Sequence, residues 1–109
     1  MDIEIFIGNL DDPDFDYGQG DWSGNCPSRI SPFFPKPHNA FSYLIDLIGS
    51  GRIEGRQTDW GTWVAPLYPS EIVKLMEGLY EGDDLRYIVE IANQLIADQK
   101  YALVACEIG

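Results

Sequence analysis

Thirty consecutive residues, 9–38, permit neither a long helix nor a central strand. Pro13, Pro27, Pro32, Pro35 and Pro37 each lack a backbone donor, and Gly18, Gly20 and Gly24 leave the backbone loose. In a chain of 109 residues such a stretch takes up more than a quarter of the length. Long irregular loops in small domains are functional or disordered. This one carries Phe15, Tyr17, Trp22, Phe33 and Phe34. That density of rings predicts packing, either on the chain's own core or on a partner.

The flanking segments are regular. Ile3, Ile5 and Ile7 alternate with Glu4 and Phe6, so residues 2–8 read as a strand. Asn39 is a good N-cap, and Phe41, Leu44, Ile45 and Ile48 form the stripe of a half-buried helix that Gly49 and Gly51 stop. Residues 52–59 are polar. Residues 60–68 read as a second strand carrying Trp63, Val64 and Leu67, with Pro66 marking its end or an edge position.

Pro69-Ser70-Glu71 opens a helix with Ile72, Leu75, Met76 and Leu79 on its buried side. Asp83 or Asp84 caps another, with Leu85, Ile88, Val89, Ala92, Leu95 and Ile96 in period. Residues 101–108 are nearly continuously apolar, the mark of a strand buried on both faces. The length supports one domain, 1–109. The expected fold class is α/β: three main strands, mostly parallel because helical crossovers join them, with about three helices and the long irregular N-terminal loop. A hairpin around Gly55 would add a fourth strand and make the sheet mixed.

Acids number 18 and bases 7, a formal charge of −11. Phosphate backbones and anionic lipids repel such a surface, so neither direct nucleic-acid binding nor membrane-surface binding is expected. No apolar run reaches the roughly 18–20 residues that cross a bilayer, and Met1-Asp2-Ile3-Glu4 lacks the basic start of a secretory signal. Cys26 and Cys106 lie far apart and outside any CxxC pattern. They read as free thiols in a reducing cytoplasm. A catalytic Cys106 would need His38, the only histidine, as its base. His38 reads more simply as a capping or packing residue. Glycine-rich phosphate loops and nucleophile elbows are absent, and no acid pair is singled out among 18. No catalytic residue, metal ligand or cofactor is assigned.

The sharpest local feature is acidic. Residues 1–25 hold seven acids and no base, five of the seven being Asp11, Asp12, Asp14, Asp16 and Asp21. Asp12-x-Asp14-x-Asp16 matches the first ligand positions of a calcium loop. Gly18 then falls one place late, Ser23 stands where a bidentate Glu belongs, and Pro13 stiffens the start. Fixed carboxylates mixed with Phe15, Tyr17 and Trp22 suit recognition of a basic protein surface: rings anchor, and charges steer the encounter. Trp60, in Asp59-Trp60-Gly61-Thr62-Trp63, is expected to be exposed, and Trp63 to be core.

The order strand, aromatic-rich loop, helix at Phe41–Ile48, Trp-bearing strand, two helices and C-terminal apolar strand resembles the barstar-like ribonuclease inhibitors, as does the acidity. The resemblance implies a small protein that plugs a basic nuclease site. Within residues 31–46 the rings are Phe33, Phe34, Phe41 and Tyr43, and the only acid is Asp46. Because the acids lie mainly in residues 11–21, the resemblance carries a class of function and no contact residue.

The expected function is therefore a non-enzymatic, cytoplasmic inhibitor, an immunity protein for a basic nuclease-type toxin. Its partner-binding residues would be Asp11, Asp12, Asp14, Phe15, Asp16, Tyr17, Asp21, Trp22 and Trp60. Two alternatives stand beside it: a structural or regulatory domain that is acidic for solubility, and a small-ligand enzyme using loop 9–38 as a lid.

Overall fold

A computed structural model describes residues 2–18 and 25–108. The elements are β1 (Asp2–Gly8), α1 (Pro37–Gly49), β2 (Arg56–Asp59), β3 (Thr62–Leu67), α2 (Pro69–Glu77), α3 (Gly82–Asn93) and β4 (Tyr101–Ile108). They form one four-stranded sheet in the order β1-β4-β3-β2. Every pairing is antiparallel.

The expectation of a mostly parallel sheet is thereby overturned, and the reason is directional. A single crossover helix returns the chain to the starting end of the sheet and so gives a parallel neighbour. Between β3 and β4 there are two helices. They carry the chain out and back, so Tyr101 begins opposite Leu67, where β3 ended. Between β1 and β2 the extra pass is made by residues 29–34. The N–H groups of Ile30 and Ser31 donate to the Ile7 carbonyl, and that of Phe34 to the Ile5 carbonyl, so this segment descends along the outer edge of β1 before α1 climbs.

The pleat divides the apolar residues between two faces. Ile3, Ile5 and Ile7 of β1, Ala65 and Leu67 of β3, and Tyr101, Leu103 and Ala105 of β4 face the helices. There they meet Ala40, Leu44, Ile72, Met76 and Ile88. Phe6, Val64, Ala102 and Val104 face the other way, onto a smaller cluster completed by Phe15 and flanked by Leu10, Tyr17, Cys26 and Cys106. β4 is thus buried on both sides from Tyr101 to Ala105.

The hairpin lies at Trp60-Gly61, not at Gly55. Gly61 has φ +72°, and a Cβ there would sit 3.0 Å from the Glu107 carbonyl oxygen, so glycine is required. Gly55 is small for another reason. A Cβ on it would lie 2.6 Å from Ile48 Cγ1, so it lets the chain pass close under α1.

α1 begins at Pro37, ahead of the expected Asn39 cap, and its N-cap is Lys36 in the left-handed region (φ 48°). Two contacts hold that conformation: the Lys36–Asp84 ion pair at 2.8 Å, and the Tyr80 hydroxyl, which donates to the Pro35 carbonyl. Burial pushes the Tyr80 phenol up to about 12.

A candidate partner-binding surface

The acidic loop is ordered by its own side chains. Asn9 Oδ1 accepts from the Asp11 N–H, Asp12 Oδ1 from Asp14, and Asp16 Oδ1 from Gly18, three successive turns of the Asx kind. Asp12 Oδ2 also accepts from the Ser28 N–H at 3.0 Å, fastening the outgoing and returning limbs together. The N–H donors of Asp14 and Ser28 hold the Asp12 carboxyl below its ordinary value. Asn25 exchanges bonds with the Asp16 backbone, and its Nδ2 donates to the Thr58 carbonyl while Thr58 Oγ1 donates to the Asn25 carbonyl. Arg56 Nη1 reaches the Gly18 carbonyl. Residues 9–18 therefore run from β1 across the sheet face to the β2 edge, and residues 25–28 lead from that edge back to β1.

This arrangement sorts the predicted residues. Phe15 is 7% exposed and belongs to the second core, so it fixes the loop and is not available as a surface anchor. Tyr17 is half-buried beside Glu54 and Arg56, and burial, then the Glu54 charge, push its phenol up. Asp12 is committed to the loop's own backbone. Asp11, Asp14 and Asp16 are exposed. Trp60 is 77% exposed, at the turn between β2 and β3. Its N–H bonds to Asp59 Oδ1, and the Gly61 carbonyl accepts from the Glu107 N–H on β4. Asp21 and Trp22 lie outside the described residues. Because Asp16–Gly18 abuts β2, Asp16, Glu54, Asp59 and Trp60 fall along one edge of the molecule.

Among the described residues no group of three or more His, Cys, Asp or Glu is placed to hold a metal ion. Burial raises the Cys26 thiol to about 12, which makes it a poor nucleophile. Cys106 flanks the loop-side cluster, whereas His38 starts α1 on the helix side, so the sheet separates them.

Sequence reasoning missed Glu107, which only strand register brings beside the Trp60 turn. It also missed Arg29, whose guanidinium stacks 4.3 Å over the half-exposed Phe33 ring. Nothing in the spacing of these residues pointed to either. No helix among the described residues is long and apolar enough to cross a membrane. No family model, curated protein or solved structure matches the chain.

Proposed function

We propose that the domain is a binding module for a basic protein, acting as an immunity protein that occludes the substrate-phosphate sites of a cationic, nuclease-type toxin in the cytoplasm. Its chemistry is occupancy, not catalysis. The observation that carries this reading is the acidic loop itself. Asp11, Asp14 and Asp16 stand outward on a segment anchored from behind by Phe15 and by the two bonds to Asp12. A backbone held in place before the encounter lowers the ordering cost of binding for the carboxylates it carries, and a surplus of 11 negative charges steers a cationic partner inward. Trp60, exposed beside Asp59 with its backbone N–H bonded to that carboxylate, is the ring suited to fill a partner pocket.

The test measures association and dissociation rates against purified cationic nuclease toxins at low and high salt. Association should slow as salt rises. An Asp11/Asp14/Asp16→Asn variant should lose several-fold in association rate, and Trp60→Ala should dissociate about tenfold faster or more. Variants that bind with unchanged rates would remove the proposed surface.

A further inference from the structure

The basic side chains tell a separate story. There are seven, and five are engaged. Arg29 stacks on Phe33, Lys36 pairs with Asp84, Arg56 donates to Gly18, Arg86 pairs with Asp83, and Lys100 lies 5.4 Å over the Tyr68 ring. Arg52 and Lys74 have no side-chain partner among the described residues. Both line the same cavity, of about 450 Å³, between α1, the segment after it, the end of β3 and α2.

The cavity has an apolar floor and a cationic rim. Leu67 is buried, and Ile53 and Leu75 are half-buried; Arg52 and Lys74 are exposed at the mouth. Tyr43 of α1 lines it as well, and its hydroxyl has no hydrogen-bond partner among the described residues. It backs onto Gly78, where a Cβ would approach it to 3.0 Å. The one acid in the lining is Glu71. Its Oε1 accepts from the Tyr68 N–H at 2.9 Å, closing the capping box of α2, and it forms no ion pair with Lys74. In a chain with 18 acids, two cations without an ion-pair partner among the described residues line one apolar hollow.

The geometry points to a binding site for a small organic anion with an apolar body: a carboxylate or phosphate head on Arg52 and Lys74, and the body against Ile53, Leu67 and Leu75. The volume falls in the range of small-molecule pockets, which combine an apolar wall with a few placed polar groups. Guanidinium and ammonium groups supply charge-assisted bonds to either head. The site lies on the helix side of the sheet, apart from the acidic loop, and does not depend on the function proposed above.

The experiment is a titration followed by amide NMR, using phenylacetate, phenyl phosphate, benzyl alcohol and inorganic phosphate as probes. Saturable shifts at Ile53, Leu67 and Leu75 with at least one of the two organic anions are expected, and which of them saturates identifies the head. Benzyl alcohol and inorganic phosphate should each bind at least tenfold more weakly. Arg52→Ala and Lys74→Ala should each weaken binding about tenfold, and Lys74→Arg should retain it. Four results overturn the site: no saturation with either organic anion, equal binding of the alcohol, equal binding of inorganic phosphate, or unchanged binding by an Arg52→Ala/Lys74→Ala variant with a native spectrum. Both substituted residues are solvent-exposed, so that variant is expected to fold.

Discussion

At the scale of single residues, similar side chains do different jobs. Asp11, Asp12 and Asp14 look alike in the sequence, yet only Asp12 receives two backbone N–H groups. Those donors favour the charged carboxylate and hold its pKa below 3.8. A lowered folded-state value means that the stabilisation is complete above 3.8 and is lost as pH falls through the folded value. Asp12→Asn should therefore lower the urea midpoint at pH 7 and flatten its decline in acid. Hydrogen exchange at the Ser28 amide should quicken, since Ser28 donates to Oδ2, where Asn carries its NH₂. Unchanged exchange at Ser28 would show that the clasp between the two limbs is not formed. Asn9 and Asp16 make similar local bonds, which explains how residues 9–18 hold a definite path without helix or strand.

At the scale of elements, the loop is part of the fold as much as a surface. It supplies Phe15 to one core and Phe34 to the other, and residues 29–34 cover the outer edge of β1. Phe15→Ala should cost about 3 kcal/mol, the range for emptying a buried ring site, read from denaturant unfolding. A cost near zero would mean that the loop does not seal the second face.

Much of this level was legible in the sequence. β1, β4 and the three helices follow the hydrophobic period, but α2 stops at Glu77, short of the expected Leu79, and α3 at Asn93, short of the expected Leu95 and Ile96. What escaped was β2, four polar residues of which only Thr58 is buried, and which no period marks. The strand directions escaped as well. They were open to argument, because two helices between β3 and β4 imply a return to the same end. Of the candidate site, the exposure of Trp60 was readable from its place beside Gly61. The burial of Phe15 was not, because a ring in a loop carries no periodicity to say which way it turns.

At the scale of the whole molecule, charge works against compactness. Eleven uncompensated negative charges repel one another across a chain whose radius of gyration is 12.8 Å, only slightly larger than the roughly 10 Å over which 0.1 M salt screens. Only two ion pairs occur among the described residues, Lys36–Asp84 and the exposed Arg86–Asp83. The melting temperature should rise as NaCl increases from about 10 to about 300 mM and then level off. A flat or falling melting temperature would place the repulsion mainly in the unfolded chain. The same screening that steadies the free protein should slow its capture of a cationic partner, so the two trends oppose each other along one salt axis.

The sheet order has a consequence for biosynthesis. β4 stands between β1 and β3 and is the last of these four strands to be translated. Until residues 101–108 clear the ribosome, β1 and the β2–β3 hairpin lack the strand that joins them into one sheet. β1 thus waits while residues 9–100 are made before the strand that pairs with it exists, a delay set by the topology alone.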